Sequence, residues 1–366
     1  MGDPQCPVGA ASLVTGLAFL LGFVAVAQRG PGLRSCEVAH PAGSRVAGLD
    51  SVFEALARDA NRDLKGVVVV RRGCITAERY FNGDDAGTLH DIRSAAKSIT
   101  STLVGIAIGR GLIPGVDVPV AGLLPPGAPD RVRRIRVRDL LTMQSGLDSY
   151  DRDSVAAGNE RWLDASDDWI RFAYSVPQVS QAGERYVYSS LTAFLAGAIV
   201  EHVTHSTLQT FAGEALFRPL GIDRWAWRVG PRGEGTGQGN LSIRARDLAA
   251  FGELFLRGGV FQGRRIVDSA WVRAALAPKV AIGATDKYAD GYGYMWYSKR
   301  YERPGRAVTV RFASGNGGNK VYLVPDRDLV IAVTSSAYGL SRGQARSERI
   351  LLGILDAVEP GAVPAR

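Results

Sequence analysis

Ser94 and Lys97 are the residues whose types and spacing best suit nucleophilic chemistry. Apolar side chains recur at helical spacing from Ile92 to Ile106, with Asp91 as a candidate N-cap, so the pair is expected in the first turn of a helix. Residues three apart share a helix face, which lets an amine reach a hydroxyl. The positive potential of a helix N-terminus favours an anion at Ser94 and disfavours a protonated Lys97, which we expect to rest neutral.

Lys97 is distinguished from a surface lysine by its surroundings in the sequence. Lysine occurs only at positions 65, 97, 279, 287, 299 and 320, and Lys97 alone follows a serine by three residues. Positions three and four away from it hold no acid, so a helical salt bridge does not account for it. Arginine cannot serve as a base at neutral pH. We expect Lys97→Arg to abolish turnover and Lys320→Arg to have little effect.

Four segments together carry a resemblance to a known family. The chain resembles the serine β-lactamase and DD-peptidase superfamily, in particular the class C-like branch that contains esterases and 6-aminohexanoate-dimer hydrolases. The resemblance runs from about Gly66 to Ala337. Order and spacing make it more specific than a lone Ser-x-x-Lys, which often occurs by chance. The segments are His90 to Ser98, Leu140 to Leu147, Tyr186 to Ser190, and Phe312 to Gly318.

The resemblance implies roles for the first two motifs. Ser94 becomes the acylated nucleophile, Lys97 its general base, and Tyr188 the relay that passes a proton to the leaving group. Ser190 stands where the family has an asparagine that contacts the lysine, and a serine keeps a hydrogen-bonding group with shorter reach. The alternatives are a structural aromatic residue at Tyr188 and a helix N-cap at Ser190.

The third motif departs from the family pattern. Ala313, Ser314 and Gly315 stand where relatives have Lys-Thr-Gly or His-x-Gly, so the cation or imidazole is missing. By resemblance, the amides of Ser94 and Asn316 form the oxyanion hole, which needs no particular side chain. The alternative for this segment is a plain glycine turn.

The missing cation bears on substrate choice. In β-lactam-recognising relatives it helps to hold the substrate carboxylate, so we expect hydrolysis of short-chain esters or neutral amides and poor hydrolysis of penicillins and cephalosporins. Arg311, on the same strand face as Ala313, is an alternative source of the charge.

The predicted function is a serine hydrolase that cleaves ester or amide bonds through an acyl-enzyme, which water then hydrolyses. A small ester, amide or peptide-like molecule is the expected partner, and neither a metal nor an organic cofactor is implied. Two alternatives stay open, because the second and third motifs are altered. One is a β-lactamase or DD-peptidase-type enzyme, and the other is a slowly acylating sensor or degenerate binding domain.

Rival chemistries find little support in the sequence. The chain has no Gly-x-Ser-x-Gly elbow, and its four histidines form no zinc-binding helix motif. The net charge of +8 comes with arginines scattered among acids and without a nucleic-acid recognition motif, so nucleic-acid binding is not expected. The basic run from Arg131 to Arg138 alternates with apolar residues like a strand with one wet face.

These motifs must be positioned by an α/β (α+β) framework of the β-lactamase/DD-peptidase type. The predicted elements nearest the N-terminus are a helix over Leu49 to Leu64 and a hairpin turning at Arg72-Gly73. Predicted strands near the C-terminus are Tyr292 to Tyr297, Ala307 to Phe312, Lys320 to Val324 and Leu329 to Thr334. Both chain ends would then form one antiparallel sheet with flanking helices.

We expect a catalytic domain over 46–358, with a mainly helical insertion over roughly 100–278. Helices are predicted over Leu191 to Val203 and Asp247 to Leu256. Aromatic residues precede Tyr188 and are either a pocket wall or helix core: Trp162, Trp169, Phe172 and Tyr174.

The first 27 residues are predicted to be an export signal, and residues 28–45 a linker. The stretch from Val8 to Ala27 is uncharged and ends in a small-x-small pattern, although no basic residue precedes it. A retained anchor, with membrane association, and a misplaced start codon are the alternatives. Cleavage would remove Cys6 and leave Cys36 and Cys74, which we expect to form a disulfide in an exported protein, two free thiols being the alternative. The expected location is periplasmic, cell-envelope or secreted.

Overall fold

The computed structural model describes residues 32–36, 47–303 and 306–358. In these ranges the α-helices are α1 (Ala47–Ala57), α2 (Ala96–Gly109), α3 (Asp130–Arg133), α4 (Val137–Leu141), α5 (Glu160–Ala165), α6 (Trp169–Ser175), α7 (Ser190–Thr204), α8 (Leu208–Ala212), α9 (Ala245–Leu256), α10 (Ser269–Leu276) and α11 (Ser341–Val358). The strands are β1 (Leu64–Arg71), β2 (Cys74–Tyr80), β3 (His90–Asp91), β4 (Ala226–Trp227), β5 (Leu241–Ile243), β6 (Val260–Phe261), β7 (Arg264–Arg265), β8 (Val280–Ala281), β9 (Gly291–Tyr292), β10 (Tyr297–Arg303), β11 (Arg306–Gly315), β12 (Asn319–Val324) and β13 (Leu329–Ser335).

The main sheet is antiparallel and joins the two ends of the described chain. Its strand order is β2-β1-β13-β12-β11-β10-β9-β8, so β1 from the N-terminal side lies beside β13 from the C-terminal side. The valine run of β1, Val67–Val70, is fully buried, as expected for β-branched residues in a strand that is covered on both faces. The predicted fold class is confirmed.

Helices cover both faces of this sheet. Helix α9 packs on β1, β12 and β13, while α11 packs against α1 and contacts the opposite face of β12. Between β2 and β8 the regular secondary structure is mainly helical, with short strands β3 to β7, and a central pair of helices there, α2 and α7, packs together. The active-site candidates lie where α2 meets the end of β11.

The predicted hairpin is confirmed. Strands β1 and β2 pair in antiparallel register, and both turn residues are left-handed, with φ 53° at Arg72 and 85° at Gly73. Two consecutive positive φ angles are the signature of the tight turn that matches strand twist. The helices predicted over Leu191 to Val203 and Asp247 to Leu256 are also present, as α7 and α9.

Three predicted elements are wrong in detail. The first helix ends at Ala57, because the chain then turns at Asp59, whose carboxylate accepts a bond from the Asn61 amide. The segment Tyr292 to Tyr297 is not one strand, since Met295 has φ 59° and its amide bonds away from the sheet. The basic run from Arg131 forms α3 and α4, two helices whose arginines lie largely on the surface.

The predicted disulfide between Cys36 and Cys74 is confirmed. Ser35 pairs with Ile75 beside it, which fastens the segment 32–36 to β2. The predicted signal over residues 1–27 and most of the predicted linker lie outside the described residues. Within the described ranges, no helix combines the length and the apolar character needed to cross a bilayer.

Candidate active site

Ser94 lies in a 3₁₀ turn, Arg93–Ala95, that leads directly into α2. Arg93 has φ 52°, an unfavourable conformation for a residue with a side chain, and the Asp91 carboxylate holds it by accepting its amide at 2.8 Å. Asp91 therefore fixes the turn before Ser94 and does not cap α2 as predicted. The serine is presented one turn ahead of the helix proper, at the edge of a cavity.

The cavity beside Ser94 has a volume of about 760 Å³. Its walls include the Ser94 turn, the loop after α4, the segment before α7, the segment before β9, and the ends of β11 and β12. The predicted site residues that line it are Ser94, Tyr188, Ser314, Gly315 and Asn316. The fold therefore brings together motifs that are more than 200 residues apart in the chain.

Lys97 is 2% exposed and contacts three oxygen atoms. Its Nζ lies 3.2 Å from Ser94 Oγ, 3.1 Å from Ser190 Oγ and 2.6 Å from the carbonyl oxygen of Gln238. The ring of Tyr188 is centred 5.1 Å away. All three N–H donors of an ammonium group thus have an acceptor, and one of these acceptors is the candidate nucleophile.

The surroundings of Lys97 favour its charged form. Burial lowers the pKa of the amine, but the opposing effects of Tyr188, Glu160 and Asp151 raise it above its ordinary value. This direction is opposite to the one expected from the helix N-terminus alone, because the groups that raise the pKa of Lys97 come from distant segments.

Asp151 is the main site residue that sequence reasoning missed. Its Oδ2 accepts both the amide and the hydroxyl of Ser190 at 2.8 Å. The cap of α7 is Ser189, which leaves the Ser190 hydroxyl free to face Lys97. Burial raises the pKa of Asp151 to about 6, against the nearby Lys97 charge, which lowers it. The partly buried carboxylate of Asp151 thus contacts Ser190, which stands where the family has an asparagine.

Gly315 is required by the close approach of β11 to the Ser94 turn. A Cβ atom there would lie 2.0 Å from the carbonyl oxygen of Ile92, closer than any atom tolerates. The main-chain oxygen of Gly315 accepts a bond from Gln344 at 2.8 Å, and the Asn316 side chain accepts the amide of Gly339. These bonds fix the backbone that borders the cavity opposite Ser94, and a plain surface turn would not need them.

A lysine amine does line this wall, although Ala313 itself supplies no cation. Lys320 is paired with Ser314 across β11 and β12, and its Nζ donates to Ser314 Oγ at 2.8 Å. Burial lowers the pKa of Lys320 to about 7. Arg311, the alternative source of charge, belongs to the opposite strand face with Ala313 and is not among the cavity-lining residues. Strand β12 therefore contributes, at Lys320, the amine that the Ala313-to-Gly315 motif on β11 lacks.

The aromatic residues that line the cavity are not those considered from the sequence. Trp169 is fully buried in the core, and Phe172 and Tyr174 pack against that core, whereas Trp162 is 42% exposed. The core interpretation holds for the first three. The cavity walls are instead aromatic at Tyr150, Tyr186, Tyr188, Tyr288, Tyr297 and Phe312.

Comparison with known proteins agrees with this geometry. The family model described as beta-lactamase matches residues 49–354. The 6-aminohexanoate-dimer hydrolase of Paenarthrobacter ureafaciens is 29% identical over 341 residues, which cover 87% of this chain and 83% of that protein.

Solved structures share the fold at low sequence identity. A putative 6-aminohexanoate-dimer hydrolase from Bacillus anthracis superposes with a TM-score of 0.70 at 17% identity, covering 92% of this chain and 90% of that one. A hydrolase with promiscuous acyltransferase activity superposes with a TM-score of 0.66 at 17% identity, covering 86% and 99%.

Proposed function

The chain belongs to the beta-lactamase family and is a serine hydrolase, and from this premise we propose that it cleaves ester or amide bonds through an acyl-enzyme on Ser94. The observation that carries the proposal is the buried Lys97 amine, which lies 3.2 Å from the Ser94 hydroxyl and also contacts Ser190. A nucleophile, its base and an orienting group within hydrogen-bond reach are the arrangement that covalent catalysis needs.

The first chemical step is attack of Ser94 Oγ on the substrate carbonyl carbon. Lys97 and Tyr188 act as a coupled pair, which accepts the Ser94 proton and delivers it to the leaving group. Because Lys97 favours its charged form at rest, the pair takes this proton only after one of its two members has been deprotonated. Water then attacks the acyl-enzyme by the same route in reverse, which releases the acid and restores Ser94.

The negative charge that develops on the carbonyl oxygen needs donors at a fixed position. We assign these donors to the main-chain amides of Ser94 and Asn316. The close contact of Gly315 with the Ser94 turn supports this assignment, because it holds the two segments side by side. Two preorganised amide donors contribute several kcal/mol to transition-state stabilisation, of which removing one costs about 3 to 4 kcal/mol.

The substrate class is proposed from the wall that holds Ser314 and Lys320. The buried Lys320 amine at the cavity, in its protonated form, favours a substrate that bears a carboxylate beside its scissile ester or amide. The relative from Paenarthrobacter is named for a dimer of 6-aminohexanoate, a molecule with an amide and a carboxylate. A small linear amide or ester acid is therefore the proposed substrate.

We also propose that the protein is exported. The disulfide between Cys36 and Cys74 supports an oxidising compartment, and hence export of a catalytic domain over residues 46–358 by the N-terminal segment. Fractionation of the native host, followed by N-terminal sequencing of the mature protein, tests this. A full-length chain in the cytoplasm would contradict it.

The hydrolase assignment is tested with p-nitrophenyl acetate, a neutral chromogenic ester. Wild type should release p-nitrophenolate with repeated turnover, and Ser94→Ala should release none above buffer. Ser98→Ala, which alters the next serine of the same segment and removes a bond to the Met295 carbonyl, is the matched control for the loss of a hydroxyl. A single burst without turnover would favour the slowly acylating sensor, and equal activity in Ser94→Ala would refute the nucleophile.

A further inference from the structure

Asp151 makes more contacts with the second catalytic motif than a surface loop residue would. Its main-chain amide donates to the carbonyl oxygen of Tyr188 at 3.1 Å, and its Oδ2 accepts the amide and hydroxyl of Ser190 at 2.8 Å. Asp151 thus makes hydrogen bonds to both ends of the Tyr188-to-Ser190 segment. These bonds set the positions of Tyr188 and Ser190, whose side chains face Lys97.

The loop that carries Asp151 is itself fixed. Asn159 is buried, and its Nδ2 donates to the carbonyl oxygens of Asp151 and Asp153 at 3.0 and 2.9 Å. The same group also reaches the carbonyl oxygen of Tyr150 at 3.3 Å. The Asn159 amide group therefore binds three carbonyl oxygens of the loop, and these bonds hold the Asp151 carboxylate in place without a substrate.

The second oxygen of the Asp151 carboxylate indicates a role beyond these hydrogen bonds. Asp151 Oδ1 is buried and makes no hydrogen bond with the described residues. A residue needed only to hold Ser190 would not require a buried charge, since a neutral amide has an equivalent acceptor. The charge is retained in a place where burial opposes it, which indicates that the charge itself has a function.

We propose that Asp151 is a positioning residue, which acts through Ser190 to set both the place and the charge of the Lys97 amine. Together, Asp151 and Ser190 replace the single asparagine of relatives. The Ser190 hydroxyl contacts Lys97, and the Asp151 carboxylate orients that hydroxyl and adds a negative charge near the amine. This inference rests on the proposed acyl-enzyme function.

The size of the effect of the Asp151 charge on the Lys97 amine follows from the Ser190 hydroxyl that connects them. Bonds of 2.8 and 3.1 Å on either side of the Ser190 hydroxyl put the carboxylate within about 6 Å of the ammonium, where an effective dielectric constant of about 20 gives an effect of about two pH units. Other charged or titratable groups that face Lys97 are Glu160 on α5 and Tyr188 before α7. Neither is altered when Asp151 changes.

The experiment is the pH profile of kcat/KM for a neutral ester in Asp151→Asn. Asparagine keeps an oxygen for Ser190 but removes the negative charge, so the Lys97–Tyr188 pair loses its proton more easily. The acid limb should therefore move down by one to two pH units. The matched control is Asp153→Asn, an exposed aspartate in the same loop whose carboxylate accepts the Val155 amide. Its acid limb should stay at the wild-type position.

The outcomes separate this inference from the hydrolase assignment. An acid limb that stays in place in Asp151→Asn, whatever happens to the rate, overturns the inference and leaves the acyl-enzyme on Ser94 untouched. A limb that moves to higher pH overturns it too. If Asp151→Asn does not fold, as judged by its melting curve, Asp151→Ser still tests the charge, because serine lacks the carboxylate and fits within the space of the aspartate.

Discussion

Replacement of Lys320 by methionine should separate anionic from neutral substrates. Lys320 is 3% exposed, and its amine donates to Ser314 Oγ and lies over the ring of Phe312, with Nζ 4.5 Å from the ring centre. Methionine fills the same volume against that ring and has no donor. The variant should therefore fold normally, and it loses the bond to Ser314 together with the interaction with a substrate carboxylate.

The magnitude follows from the free donors of the amine. An ammonium group has three N–H donors, and Ser314 is the one hydrogen-bond acceptor that the described residues offer to Lys320. A charge-assisted bond to a carboxylate contributes about 1.5 to 3 kcal/mol, and a tenfold change in affinity corresponds to about 1.4 kcal/mol. The KM for an anionic substrate should rise about tenfold to a hundredfold, and the KM for a neutral one should stay.

The same amine predicts a pH dependence of substrate choice. Burial lowers the pKa of Lys320 to about 7, although Asp286 and Glu348 raise it and Lys299 lowers it further. The group is therefore charged below about pH 7 and neutral above it. The preference for an anionic substrate should be strongest in mild acid and fade as the pH rises through 7. The Lys320→Met variant should show no such change.

The assay compares three esters. p-Nitrophenyl acetate is neutral, p-nitrophenyl hydrogen succinate carries the carboxylate on the acyl side, and 4-acetoxybenzoate carries it on the leaving group. The control is Lys279→Met, an exposed lysine whose ammonium lies over the ring of Tyr294 outside the cavity. The reasoning is refuted if Lys320→Met changes the KM for all three esters by one common factor.

Three further outcomes are expected. Lys97→Arg should lower kcat for p-nitrophenyl acetate to the level of Ser94→Ala, because a guanidinium cannot give up its proton; near-normal turnover would remove Lys97 as part of the base. Gly315→Ala should lose activity and melt at a lower temperature, since the added Cβ would lie 2.0 Å from a main-chain oxygen, whereas Gly109→Ala, at an open position, should do neither. Cys74→Ser should lower the free energy of unfolding in urea by about 2 to 4 kcal/mol under oxidising conditions, and an unchanged midpoint would show that the disulfide contributes nothing.

Much of the framework could be predicted because it is local. The β1–β2 hairpin depends on a turn of two residues, and α7 and α9 each have a long apolar pattern. The Ser94 and Lys97 pair is equally local, since three residues on one turn fix their distance. Predictions failed where a tertiary contact overrides the pattern, as at Met295, whose amide bonds to Leu141 instead of a neighbouring strand.

The charges of the site could not be predicted, because they depend on strand register and on loop position. Ser314 and Lys320 become partners only through the short turn between β11 and β12, and a register one residue different would put Lys320 on the opposite face. Asp151 lies 39 positions before Ser190. The one available signal was a single lysine in the mostly apolar β12, two residues after the last glycine of the turn.

The pairing of Asp151 with Ser190 predicts that restoring the family's asparagine will fail by itself. Ser190 is 1% exposed and is in contact with both Lys97 and the Asp151 carboxylate, so the larger side chain of Ser190→Asn has no space. This single variant should lose most of its kcat/KM for p-nitrophenyl acetate. Asp151→Ala should also lose activity, because it removes the hydrogen bonds of the carboxylate to Ser190.

The double variant Ser190→Asn with Asp151→Ala should be more active than either single one. Removal of the carboxylate frees the space that the longer amide needs, and that amide can then reach Lys97 directly. Residues in direct contact show coupling of about 0.5 to 3 kcal/mol in such a cycle, which corresponds here to a rate at least twofold above the additive expectation. Losses that simply multiply would show that the two residues act independently, and the serine would then be an isolated substitution with no partner in the fold.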